Sequence, residues 1–180
     1  NNNVAIGNAA LDANNTASNN VAIGVNSLTQ NSTGTDNVAV GSYALDANTT
    51  GDGNTAVGDN ALGAVTTASN NTAVGKSCLI NNTGTTNTAY GFAAMSANTT
   101  GQENVVVGAN ALDANTSGNY NTAVGRSALG NATTASNNTA VGYTALLANT
   151  TGTQNAALGA YCLDANTTGS YNTGIGYNNL

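Results

Sequence analysis

Asn37-Val38-Ala39-Val40-Gly41-Ser42-Tyr43-Ala44-Leu45-Asp46-Ala47-Asn48-Thr49-Thr50-Gly51-Asp52-Gly53 is one unit of a repeat, and Asn54-Thr55-Ala56-Val57-Gly58 begins the next. Carried outward in both directions, the pattern covers the whole chain of 180 residues. Its leading Asn recurs at 3, 20, 37, 54, 71, 87, 104, 121, 138, 155 and 172, a spacing of 17 with one 16-residue unit starting at Asn71. Numbered from that Asn, the consensus reads N-T-A-V-G-x-x-A-L-x-A-N-T-T-G-x-x. Position 5 is Gly in every unit, and position 9 is Leu in all but the unit holding Met95. Position 4 is aliphatic except at Tyr90, and position 3 is Ala except at Val106 and Gly174. Positions 6, 7, 10, 16 and 17 vary freely.

A unit this short cannot be a helix pair, whose repeats run to about 33 to 47 residues, and it is dense in Gly, Asn and Thr rather than helix formers. It fits one turn of a parallel β-solenoid, an all-β coil of about ten turns. The period-2 rule puts positions 2 and 4 of a short strand on one face, and their Val, Thr and Ile predict that this face points into the coil. Gly at position 5 predicts a corner of positive φ. Positions 7 to 11 read as a second short strand with Leu inward, and Asn-Thr-Thr-Gly at positions 12 to 15 as a turn in which Asn takes the left-handed conformation. Stacked turns make each column a ladder at about 4.8 Å spacing. The structural ladders are Asn37, Asn54 and Asn71, bonded amide to amide, with Gly41, Gly58 and Gly75, and Leu45, Leu62 and Leu79. Val40, Leu45, Val57, Leu62, Val124 and Leu129 are expected to be buried, and Asp59, Lys76 and Arg126 exposed. The short unit is expected to tighten near Asn82-Thr83-Gly84.

With positions 2 and 4 inside, position 3 faces outward, and its constancy as Ala implies either a coil so flat that both faces are covered or another chain packed against it, of which the second is the expectation taken forward. Ala56, Ala73, Ala123 and Ala140 are thus expected in a chain–chain contact of a homo-oligomer, a trimer of parallel coils. Residues 1–180 read as a single array without caps, from Asn1 to Leu180, and as a segment of a longer fibre. Open strand edges at its ends also suit end-to-end association.

Composition narrows the chemistry. The chain has no His, two basic residues (Lys76 and Arg126), eight acidic ones and a net charge of −6. A general acid–base pair or a catalytic triad has no base to use, so no enzyme activity, catalytic residue or cofactor is expected. Phosphate binding needs clustered Lys and Arg, which argues against nucleic acid. No apolar run is long enough to cross a membrane as a helix. Asp12, Asp46, Asp113 and Asp164 share position 10 but do not fall in consecutive turns, so no metal site is expected. Cys78 and Cys162, both at position 8, read as small buried thiols, too far apart for a disulfide. Sequons such as Asn48-Thr49-Thr50 and Asn98-Thr99-Thr100 arise wherever Asn and Thr repeat, and glycosylation would need a secretory host. Tyr43, Phe92, Tyr143, Tyr161 and Tyr177, at positions 6 or 7, are candidate surface contacts for a cell-surface glycan or protein receptor, since exposed aromatics stack on sugars and partners. Tyr120 and Tyr171 lie at position 17.

Asn3-Val4-Ala5-Ile6-Gly7 and Asn20-Val21-Ala22-Ile23-Gly24 resemble the head repeats of trimeric autotransporter adhesins, and Asn138-Thr139-Ala140-Val141-Gly142-Tyr143-Thr144-Ala145-Leu146 is similar to the arrays of phage tail fibres. The resemblance covers the whole chain, although this unit is longer than the adhesin head repeat. It implies a parallel trimeric β-roll, extracellular, on a cell surface or on a virion, acting as stalk or adhesive head. Two alternatives compete with it. One is an ice-binding solenoid using the Thr-Thr pairs of positions 13 and 14, a ladder that reads as interrupted at Ser32-Thr33-Gly34 and in the short unit. The other is a subunit of a self-assembling extracellular filament.

Overall fold

The computed structural model describes residues 2–14 and 16–179. It is a parallel β-solenoid of about ten turns, with no helix among the described residues. Each turn contributes one strand of three residues: β1 (Val4–Ile6), β2 (Val21–Ile23), β3 (Val38–Val40), β4 (Thr55–Val57), β5 (Thr72–Val74), β6 (Thr88–Tyr90), β7 (Val105–Val107), β8 (Thr122–Val124), β9 (Thr139–Val141), β10 (Ala156–Leu158) and β11 (Thr173–Ile175). They form one parallel sheet in chain order. Equal positions pair, as in Val38 with Thr55, Ala39 with Ala56 and Val40 with Val57.

The strand faces opposite to the expected way. Position 3 points into the coil: Ala22, Ala39, Ala56, Ala73, Ala89, Ala123 and Ala140 are fully buried, each inside its own chain. Positions 2 and 4 point outward, so Val40, Val57 and Val124 are only half-buried. Volume is the reason. The inward residue of the strand meets the wall formed by positions 8 and 9, where Leu45, Leu62, Leu79 and Leu129 are fully buried beside Ala44, Ala61, Cys78 and Ala128. At Gly174 even an added methyl would lie 2.7 Å from Cys162 Sγ and 2.9 Å from Leu163 Cγ. A coil this thin takes an alanine from its strand and sends the larger β-branched residues outside. The constancy of Ala at position 3 therefore reports packing within the coil, and the chain–chain contact expected there is overturned. Lys76 and Arg126 are exposed, while Asp59 is half-buried and lies 3.8 Å from the Lys76 ammonium.

Ala73→Gln is accordingly expected to damage the coil itself. It forces extra volume and an unpaired amide into a packed interior, at a cost of about 3 kcal/mol. Val74→Gln, one residue on but outward, should cost the single coil under about 1 kcal/mol, with any larger effect falling on the association of copies. Denaturant unfolding followed by circular dichroism separates the two; equal costs would mean that the strand faces the other way.

Positions 7 to 11 do not form the second strand. They are consecutive turns, with left-handed backbone at position 7 (Tyr43, φ 56°) and again at the buried leucine of position 9 (Leu45, φ 52°). Left-handed backbone is unusual for non-glycine residues. Here hydrogen bonds to both neighbouring turns hold it: the Tyr43 N–H donates to Val25 O at 2.9 Å in the turn before, and the Leu45 N–H to Ala61 O at 3.1 Å in the turn after. Position 17 is left-handed too (Asp36, φ 59°; Tyr120, φ 58°), whereas Asn at position 12 is not. The position-5 corner does have positive φ, 133° at Gly58. The 16-residue turn closes as expected. Asn82 and Gly84 keep their places while one Thr between them is lost, and Asn82 Nδ2 still donates to Gly84 O at 2.8 Å.

Candidate functional site

Two asparagine ladders fix the turns to one another and so hold every outward side chain at a set height. In the first, Asn37 Oδ1 accepts the backbone N–H of Asn54, Asn54 Oδ1 accepts that of Asn71, and the chain of bonds continues turn by turn at 2.9–3.1 Å. Each amide also donates across its own turn, as from Asn37 Nδ2 to Gly51 O at 2.8 Å. Amide-to-amide bonds join the ladder as well, for example Asn104 Nδ2 to Asn87 Oδ1 at 3.1 Å. The second ladder, at position 12, was not anticipated: Asn48 Nδ2 donates to Asn31 Oδ1 at 3.0 Å, and Asn115 Nδ2 to Asn98 Oδ1 at 2.7 Å. Its sequence signal is a pairing of positions. The Asn48 amide folds over Gly51, where an added Cβ would sit 2.5 Å from Asn48 Oδ1. In the two turns where position 12 is not Asn, at Val65 and Ala132, position 15 is Ala, at Ala68 and Ala135.

Position 16 is also more restricted than it first reads. Every residue there carries a side-chain oxygen, from Ser18 and Thr35 to Thr153 and Ser170. In several turns that oxygen accepts the N–H of the equivalent residue one turn earlier, as Asp52 Oδ1 does from Thr35 at 2.7 Å and Ser170 Oγ from Thr153 at 2.9 Å.

The ladders present two outward surfaces. One is the sheet face, with Val or Thr at position 2 and Val or Ile at position 4 in most turns. Neither column holds a charged residue in any of the eleven strands. Ile6, Tyr90, Val105, Val107, Leu158 and Ile175 are exposed, the last at 68%. Near β10 and β11 the small Ala156 opens an apolar groove of about 250 Å³, lined by Val141, Leu158 and Ile175 among others. The other surface is the corner of positions 13 and 14. Its threonine columns are more continuous than the sequence suggested: position 13 is filled by Ser32, Thr49, Thr66, Thr83 and their successors, and Thr33 stands in column at position 14. Much of the position-13 hydroxyl column is engaged within the chain, as where Thr83 Oγ1 donates to Thr99 O at 2.7 Å.

The five candidate aromatics separate into two kinds. Tyr43 and Phe92 are exposed and stand apart from the aromatic stack. Tyr143, Tyr161 and Tyr177 are brought together on successive turns, with ring centroids 5.2 and 5.7 Å apart in edge-to-face contacts. The other candidates stay inert. Cys78 and Cys162 are free and buried, and burial pushes the Cys78 thiol up to about 12, far from the thiolate that makes cysteine reactive. Partial burial likewise raises the carboxyls of Asp46 and Asp113. Among the described residues no three His, Cys, Asp or Glu side chains gather to hold a metal ion. Leu180 lies outside the described residues. No family model, curated protein or solved structure matches the chain.

Proposed function

We propose that this chain is a structural and adhesive segment of an extracellular or virion fibre, in which copies pack side by side through the sheet face, as a parallel trimer. The observation that carries the reading is the bare, charge-free outer face of an all-parallel sheet. Parallel sheets are normally covered on both faces, and strands covered twice read as continuous apolar runs without alternation. Val38-Ala39-Val40, Val105-Val106-Val107 and Ala156-Ala157-Leu158 are such runs, yet only their alanine or central valine side is covered within the chain. A three-fold axis along the rod would set equal turns of three copies at equal heights and hide these columns. The contact between copies thus falls at positions 2 and 4, and not at position 3.

The test is the molar mass in solution. Light scattering should give three chains for the native protein and one chain when Val40, Val57, Val124 and Val141 are all replaced by Lys, with the circular dichroism spectrum retained. A native protein of single-chain mass would refute the proposal. The threonine corner supports a second reading, an ice-binding face, for which thermal hysteresis is the direct assay. Its weakness is that position-13 hydroxyls such as those of Thr49 and Thr116 are already donated to neighbouring carbonyls.

A further inference from the structure

The stacked tyrosines are the most concentrated aromatic surface of the molecule, and nothing in the packing of the coil requires them. Tyr143 and Tyr177 occupy position 6, and Tyr161 occupies position 7 of the turn between. Other turns fill these positions with Ser, Asp, Lys, Ala or Arg at no cost to the fold. Tyr143 is 42% and Tyr177 76% exposed, with Tyr161 half-buried between them. Beside the rings the Thr144 hydroxyl, in a residue 8% exposed, has no hydrogen-bond partner. It lies next to Tyr143 in sequence and one turn before Tyr161 in the same column.

We infer that Tyr143, Tyr161 and Tyr177 form a binding platform for a neutral glycan chain, with sugar rings laid against the exposed Tyr143 and Tyr177 rings on either side of Tyr161, whose plane is turned 74° and 78° from theirs. This rests on the adhesive half of the function proposed above. The linear arrangement selects the ligand class. A cage for an organic cation needs rings converging on one point, whereas these rings follow one another along the rod. A chain-like ligand matches that row, and pyranose rings carry C–H faces for aromatic contact with hydroxyls at their rims. Anionic chains are disfavoured by the net charge of −6 and by the Asp164 carboxylate close to Tyr161. The Tyr161 phenol is an O–H that can both donate to and accept from sugar hydroxyls, and desolvation first, then the neighbouring phenols and Asp164, raise it further from its ordinary range. The platform lies round the corner made by Gly142, Gly159 and Gly176 from the sheet face, so packing of copies through that face leaves it open.

The full chain can be run on native gels cast with a neutral β-glucan, a mannan or a galactan, and on a gel cast with hyaluronan. The native protein should be retarded in at least one neutral gel. Tyr161→Ala should weaken that association about tenfold, the contribution of one aromatic ring, while Tyr43→Ala leaves it unchanged. Tyr177→Ala, a surface change, gives the same readout if Tyr161→Ala disturbs folding by circular dichroism. The inference is overturned by no retardation in any neutral gel, by retardation that survives both stack variants, by retardation in hyaluronan alone, or by binding that tetramethylammonium abolishes. Light scattering on the same samples reports the oligomer independently, so a native protein that is trimeric but unretarded in every neutral gel sinks this inference and leaves the fibre reading standing.

Discussion

Gly58→Val should be the most damaging single substitution at the corner of a turn, lowering stability by about 3–5 kcal/mol. Two costs add. The backbone at Gly58 has φ of +133°, a region that side chains with a Cβ occupy at about 1–3 kcal/mol. The added Cβ would also sit 2.6 Å from Gly75 O and 2.7 Å from its carbonyl carbon. The clash is with the backbone of the next turn, which cannot rotate away, so turns four and five must separate. Asp59→Val, one residue on, alters a column that already holds Ser42, Lys76, Phe92 and Tyr143, and should stay within about 0.5 kcal/mol. Urea unfolding of the two variants checks the difference, and equal midpoints would show that the corner can be rebuilt.

Asn71→Ala is the second large effect. The Asn71 amide accepts the Asn87 N–H at 3.0 Å, and donates to Asn54 Oδ1 at 3.2 Å and Gly84 O at 3.0 Å. All four residues are buried. Truncation leaves the buried Asn87 N–H without an acceptor and opens a void where the amide stood, while Gly84 O keeps the Asn82 Nδ2 donor at 2.8 Å; a buried orphan alone costs about 1–3 kcal/mol. A total of about 3 kcal/mol is expected. Asn131→Ala is the matched comparison: it is exposed and sits at position 11, where most turns already carry Ala, so its unfolding midpoint should not move. A small effect at Asn71 would mean that the ladder is ornamental to stability.

The repeat made the coil legible because every turn restates the same constraint. Gly58 and Leu62 each recur in a column, and a residue type held against drift has one physical reason in all turns. What stayed hidden was orientation. The period-2 rule says that Thr55 and Val57 share a face; it does not say which face is inside. Hydrophobicity favoured Val57 for the interior, and the width of the cavity decided for Ala56. The left-handed leucines were hidden for a different reason. Leu45 and Leu62 have no local preference for that conformation, and only hydrogen bonds to the adjacent turns place them in it. Asn48 looked like turn chemistry because its partner, Asn31, is a full turn away. The stack of Tyr143, Tyr161 and Tyr177 was obscured by a shift of one position, since Tyr161 lies at position 7 between two residues at position 6, and a column-by-column reading separates them.

The direction of the hydrogen bonds has a mechanical consequence. The bonds between turns, from Val38 N–H to Asn54 O and from Gly41 N–H to Ile23 O alike, join one layer to the next and so run along the rod. A tensile load applied to the two ends therefore meets them one layer at a time, as in opening a zip, instead of shearing all of them together. Each released turn pays out its 17 residues at about 3.4 Å apiece and gives up only one layer spacing, a gain of roughly 50 Å. A tether built this way lengthens in equal steps at low force. It absorbs a pull by losing layers from its ends while the remaining layers keep their shape.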